Sequence, residues 1–441
     1  MSSVAAAPPI APPREQATWF GHPAGLTILF LTEMWEKFSY FGMRALLVYY
    51  MTKALAMTQH DASWVYGGYT AFAYFTPIVG GLIADRYLGR RRAVILGGSI
   101  MAVGHFLMAF PPMFYPALAT IAIGNGFFLP SLPSQVRLLY AVDDPRGQSA
   151  FSVYYVGINL GAVLAPLVCG TLGELYGWHY GFAAAGIGMC LGLVVYTWGG
   201  RYLPREPAPA GAGSRDARGA DHDAFARRFG LLLGVIAIVV VFRGAYEQIG
   251  NTVAIWADSG VDRHAGLAWT IPSTWFQALN PLLVFTLTPV LLLIWARRAR
   301  THEQARPLRR MALGATIVAA GYAMLAFAAM QSAETGLPSH WLWLVAFITV
   351  MTTGELFILP TGLALFGRLG PGGLAATTIA LWFSASFAGN LLAGALGSFW
   401  TRLGAAQFFT MIALVAAFAG LLLRLVDIPA HRVLDPRGTH P

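Results

Sequence analysis

Residues 27–51 read TILFLTEMWEKFSYFGMRALLVYYM, an apolar run long enough to cross a bilayer that carries Glu33, Glu36, Lys37 and Arg44 in its interior. A charged side chain at the bilayer centre costs roughly 2.5 kcal/mol or more unless it pairs or faces water. With Tyr40, the four charges fall at offsets 0, +3, +4, +7 and +11 from Glu33, which at about 100° per residue places all five on one face of a helix. That face cannot look at lipid. The stretch is therefore one helix of a multi-helix bundle with a polar interior.

Composition points the same way. Of 441 residues, 56% are apolar and 11% charged, with 13% aromatic, a profile of a polytopic membrane protein and not of a soluble domain. The net charge of +9 comes almost wholly from arginine. The two lysines, Lys37 and Lys53, follow no glycine, so the chain lacks the phosphate-binding G-x-x-x-x-G-K-[ST] loop. Cys169 and Cys190 fall in apolar segments and read as small core residues. The spans hold no H-E-x-x-H, no G-x-S-x-G and no cysteine beside a histidine, so nothing supports an intramembrane enzyme.

Hydropathy predicts twelve spans, the first at residues 27–51, the fifth at 150–172, the seventh at 229–256, the eighth at 269–295, the tenth at 341–366 and the twelfth at 405–426. Three more charges, Arg243, Glu247 and Glu355, lie within them. Residues 1–24 are Ala/Pro-rich and polar and are expected to form a disordered cytoplasmic tail, and residues 429–441 a cytoplasmic C-terminal tail. A Pro/Ala/Gly- and charge-rich linker at 200–228 divides the chain into six-span bundles at 25–199 and 229–428. Arginine concentrates in the loops after even-numbered spans, from Arg86, Arg90, Arg91 and Arg92 to Arg368, whereas the opposite loops offer Lys53, Arg263 and Arg402. Positive-inside bias thus predicts a multi-pass protein of the cell inner membrane with both termini and the linker cytoplasmic.

Two segments narrow the reading. Residues 80–92, GGLIADRYLGRRR, resemble the G-x-x-x-D-[RK]-x-x-G-[RK]-[RK] loop of the major facilitator superfamily, where the acid caps a neighbouring helix and pairs with arginine to hold one conformation; this implies a gating role for Asp85 and Arg86. Glu33 to Gly42 (EMWEKFSYFG) resembles the E-x-x-E-R-F-x-Y-Y-G signature of proton-coupled oligopeptide transporters. Further likenesses follow in order: residues 151–166 (FSVYYVGINLGAVLAP), 242–252 (FRGAYEQIGNT), 275–281 (WFQALNP), 354–357 (GELF) and 382–386 (WFSAS). The resemblance implies an all-α membrane protein with the major facilitator fold in two six-helix bundles, and because the linker lacks the two extra helices of many bacterial members, twelve transmembrane helices are expected and not fourteen.

It also implies a proton symporter that imports di- and tripeptides by alternating access. Such substrates are zwitterions, whose pocket needs an anion at one end and a cation at the other. The resemblance places Glu355, with Asn159 and Asn280, at the peptide amine, and Lys37 and Arg44 at its carboxylate. Tyr40, Tyr74, Trp382 and Ser386 would line the middle. Glu33, Glu36 and Glu247 are the expected proton-coupling carboxylates, with Glu247 pairing across the cavity to Arg44 as a proton-sensitive gate. His105, the one histidine within a span, reads as a hydrogen-bonded core residue. The expected partners are peptides, protons and lipid, without nucleic acid; the unit is a monomer and needs no cofactor beyond the proton.

The chain departs from the family at named positions. Leu129 stands where bacterial relatives carry a lysine on span 4, Lys37 replaces the signature's arginine and Phe41 its second tyrosine. Arg243 appears one helical turn before Glu247, where many relatives have a tryptophan, as either a substrate group or a simple i, i+4 partner of Glu247. These changes keep open a facilitator of another small solute, such as an amino acid or a drug.

Overall fold

A computed structural model describes residues 18–19, 21–141, 144, 146–204, 222–266, 269–299, 306–369 and 375–434. Twelve helices of 18 residues or more occupy the twelve apolar spans among the described residues. In the first half they are α1 (Ala24–Tyr49), α2 (Gln59–Ile83), α3 (Arg90–Leu107), α4 (Phe114–Ser131), α5 (Arg146–Ala165) and α6 (Trp178–Trp198). The second half holds α7 (His222–Tyr246), α8 (Trp275–Ala299), α9 (Pro307–Thr335), α10 (Leu342–Leu369), α11 (Ala375–Gly397) and α12 (Ala405–Leu434). Among the described residues, eight helical stretches are long and apolar enough to cross a membrane on composition alone, and α1, with its buried charges, is not among them. It needs the bundle.

Each half builds its own core. In the first, α1 packs on α5 and α6, and α4 on α2 and α3; in the second, α9 packs on α10 and α12, and α7 on α11 and α12. Tyr322, Phe347 and Phe409 fill the second core, with rings in edge-on or tilted contact. The halves meet along α2 with α11 and α5 with α8. At the first crossing a Cβ on Gly67 would meet the backbone of Gly394 and Asn390, so only hydrogen lets the helices approach.

Polar contacts between the halves cluster toward the face opposite the chain termini. Tyr49 donates to the carbonyl of Ala254 at 2.9 Å, Gln59 to that of Gly397 at 3.1 Å, and Ser63 to Asn251 Oδ1 at 3.2 Å. Ala254 is buried among first-half residues there, closing the seam with apolar surface.

Three expected boundaries shift. Thr18–Trp19 pairs with His22–Pro23 and His22 Nδ1 lies 2.8 Å from the Tyr140 hydroxyl, so order begins before residue 25; residues 1–17 and 20 of the expected tail lie outside the described residues. Helix α7 starts inside the expected linker, of which 205–221 lie outside the described residues, and α12 runs to Leu434, beyond the expected start of the C-terminal tail. The seventh span is also broken. Helix α7 ends at Tyr246, a tight turn covers Glu247–Gly250, Asn251 leaves helical geometry at φ −111° and ψ −93°, and a short helix resumes at Thr252–Ser259. Helix interruptions at membrane depth are tolerated where they line a cavity, and this one does.

Candidate functional site

The charged face of α1 divides into two sites. Lys37 Nζ lies 2.6 Å from Glu36 Oε2 and 3.3 Å from Glu33 Oε1, and both glutamates are buried. One cation thus serves two anions, and Glu36 Oε1 has no partner. Two turns on, Arg44 reaches across to the other half, its Nη2 2.5 Å from Glu247 Oε2 and its Nε donating to the Tyr66 hydroxyl at 2.9 Å.

The break in α7 turns Glu247 toward that partner. One turn earlier Arg243 Nη1 lies 2.8 Å from Glu247 Oε1, and the Arg243 guanidinium sits over the Tyr74 ring, 5.3 Å from its centroid. Two guanidiniums therefore hold opposite oxygens of one carboxylate, and Arg243 Nε, also buried, has no partner. Arg243 is the i, i+4 partner of Glu247 that the spacing allowed, and it also lines the cavity.

These groups border a cavity of about 230 Å³. Its lining includes Arg44, Tyr74, Asn159, Arg243, Glu247, Asn280 and Glu355, so seven side chains singled out in the sequence converge on it from α1, α2, α5, α7, α8 and α10 and from the turn after α7. Asn280 Nδ2 donates to Glu355 Oε2 at 2.8 Å and lies 2.9 Å from the Thr352 hydroxyl, which fixes the amide with its nitrogen toward the acid. Asn159 Nδ2 donates to the carbonyl of Tyr155 one turn back, leaving its oxygen free to accept. The cavity accordingly presents a carboxylate with an amide in one region and two arginines sharing an acid in another.

Other expected residues stand elsewhere. Lys37 and Tyr40 are half-buried outside the lining, Lys37 in its triad with Glu33 and Glu36 and Tyr40 edge-on to Phe41 at 5.3 Å. Trp382 packs against Phe366 at 5.2 Å between centroids and fills the space beside Gly362, while Ser386 bonds back to the Trp382 carbonyl of its own helix. Of the two residues expected at the gate, Asp85 faces an arginine, Arg90, and not Arg86. Asp85 is exposed and 4.0 Å from Arg90, while Arg86 lies over the neighbouring Tyr87 ring. Gly89, at φ +77°, turns the chain sharply before α3 and brings Arg90 back toward the acid. His105 is buried with neither ring nitrogen partnered, so the expected hydrogen bond is absent. Sequence reading passed over Tyr66, Tyr155, Tyr246 and Gln277, each within a turn or so of a chosen residue or facing one from another helix.

Twelve helices in two halves around a charge-lined cavity define a membrane transporter. A family model described as PTR2, POT family, matches residues 91–215 and 223–411. A di-/tripeptide transporter of Lactococcus lactis subsp. cremoris is 29% identical over 96% of this chain and 98% of its own, and an uncharacterised transporter of Bacillus subtilis, YclF, is 31% identical over 93% and 95%. The fold is similar to the crystal structure of a peptide transporter POT in complex with sulfate, with a TM-score of 0.86 and 29% identity over 95% of this chain and 97% of that one. A mutant of peptide transporter POT bound to alafosfalin aligns with a TM-score of 0.85 at the same identity and coverage. The chain belongs to the POT family: it is a multi-pass membrane transporter with the major facilitator fold, and not an enzyme.

Proposed function

We propose that this protein is a symporter that moves di- and tripeptides together with protons, importing them by alternating access. The observation that carries the reading is the pairing of opposite charges in one cavity: Glu355 held by Asn280, and Arg44 with Arg243 around Glu247. A peptide amine suits the first region and a carboxylate the second. Relatives named as di-/tripeptide transporters, and solved neighbours holding sulfate and alafosfalin, support that assignment.

Glu355, Asn159 and Asn280 are assigned to the amine, and Arg44 and Arg243 to the carboxylate, with Tyr74 between. Lys37, Tyr40, Trp382 and Ser386 retain assigned roles on the substrate path outside the cavity lining. Glu33, Glu36 and Glu247 carry the coupling protons. Protonating Glu247 removes the charge that holds Arg44 and Arg243, loosening the contact between α1 and the α7 turn and freeing both guanidiniums for substrate. The protein acts as a monomer in the inner membrane, both termini cytoplasmic, with the proton as its coupling ion.

Uptake of dialanine into proteoliposomes tests this, alongside single amino acids and larger peptides. An inward proton gradient should accelerate dialanine uptake, and a protonophore should abolish the acceleration. Uptake that ignores gradient and protonophore would refute the coupling, and preference for single amino acids would refute the substrate class.

A further inference from the structure

Helix α5 does not stop at Ala165. It continues through the wide turns Pro166–Gly170 and Leu172–Tyr176, which carry Thr171 and Glu174 against the start of α8 in the other half. Glu174 Oε1 accepts the backbone N–H of Thr274 at 2.7 Å, and Oε2 accepts the N–H of Ser273 at 3.0 Å and lies 3.0 Å from the Ser273 hydroxyl. The Trp275 indole N–H donates to Thr171 Oγ1 at 2.8 Å. A helix begins with N–H groups that lack internal partners and with a partial positive charge. Here a carboxylate from the opposite half supplies the cap.

Both helices joined in this way are walls of the cavity. Tyr155 and Asn159 come from α5, Gln277 and Asn280 from α8. Six residues, about 9 Å of helix, separate Thr274 from Asn280, the residue that holds Glu355. The halves approach so closely that a Cβ on Gly170 would meet the Thr274 side chain. Beside the cap, Asp258 lies 2.6 Å from Lys53 Nζ and 3.1 Å from Arg263 Nη2, which adds charge to the same seam.

We propose that Glu174 is a positioning residue of the transport cycle: by capping α8 from the other half, it ties closure of the face opposite the termini to the placement of Asn280 and Glu355. Its partners are the backbone N–H groups of Ser273 and Thr274 and the Ser273 hydroxyl, with Arg263 Nη1 4.0 Å away; the coupling protons are assigned to Glu33, Glu36 and Glu247, so this latch is separate from the Arg44–Glu247 contact. Its effect on substrate rests on the peptide reading above; its effect on closure does not.

The test uses the full chain with Cys169 and Cys190 replaced by alanine and Ala254→Cys as a probe, because Ala254 is buried in the seam that the cap closes. In detergent, Glu174→Gln should raise the rate of modification at position 254 by a bulky maleimide about tenfold, the scale expected for loss of a charge-assisted hydrogen bond. In proteoliposomes the same variant should raise KM for dialanine and leave the pH profile of uptake in place, and Glu174→Asp should recover part of both losses. Ser273→Pro removes both donors that reach Oε2, the N–H and the hydroxyl, while leaving the carboxylate, and should also raise labelling if Glu174→Gln fails to fold. Unchanged labelling in both variants, or a shifted pH profile in Glu174→Gln, would overturn the proposal. A parent that transports no peptide but labels faster on Glu174→Gln would overturn the peptide reading and leave the latch standing.

Discussion

Arg44 and Arg243 grip opposite oxygens of Glu247, so this cluster sets two guanidiniums against one carboxylate where ordinary pairing would set one against one. Breaking a buried pair by removing one partner costs about 3–5 kcal/mol. Under the proposed function, a substrate carboxylate that takes over one guanidinium avoids that cost, which would make the arginines selective for a free C-terminus. Arg243→Gln should therefore weaken uptake of dialanine far more than uptake of its C-terminal amide; equal loss for both would make Arg243 a structural partner of Glu247 alone. The mirror experiment addresses the amine. Glu355 is oriented by Asn280 at 2.8 Å, and a charge-assisted hydrogen bond contributes roughly 1.5–3 kcal/mol, about tenfold or more in affinity. Glu355→Gln should lower competition by free-amino dipeptides by that factor and hardly alter competition by N-acetylated ones.

At the scale of elements, spacing alone shows what one helix shows by itself, and the pairing of Glu247 with Arg44 across the cavity comes from the family resemblance. Offsets within α1 placed Glu33, Glu36, Lys37 and Arg44 on one buried face, and the spacing of Arg243 and Glu247 anticipated their ion pair. What remained hidden depends on a second helix. Periodicity does not say that α7 breaks at Asn251, because the break is held by Ser63 of α2, nor that Trp382 turns to Phe366 and not to the cavity. Glu174 looks like a loop acid until α8 is set beside it. The same dependence makes crossings sensitive to size. At Gly67 a side chain would press on the backbone of Gly394 and Asn390, and overpacking of this kind costs about 1–3 kcal/mol. Gly67→Leu should leave a monodisperse, folded protein that cannot close the face opposite the termini. Dialanine counterflow should be lost and maleimide modification at Ala254→Cys should rise. A variant that transports at the parent rate would show that α2 and α11 need not meet there.

For the whole molecule, polar contacts between the halves gather on the face opposite the termini, while the arginine-rich loops lie on the face that bears them. If arginine stays on the cytoplasmic side, as the cost of moving charge across a bilayer favours, the structure is closed to the outside. A transporter closed outward, with Arg44 and Glu247 in contact, is in the state from which cargo leaves toward the cytoplasm, and under the proposed symport the inward proton gradient sets the direction. Two engineered thiols decide it. Leu337 is exposed in the turn between α9 and α10, and Arg201 is exposed in the turn after α6, on the opposite face. On intact cells a membrane-impermeant maleimide should modify Leu337→Cys and spare Arg201→Cys until the membrane is permeabilised, with the parent chain as control for Cys169 and Cys190. The reverse pattern would place the sealed face in the cytoplasm. The same closed contacts would then describe a protein open to the outside, while net symport, which follows the proton gradient, would keep its direction.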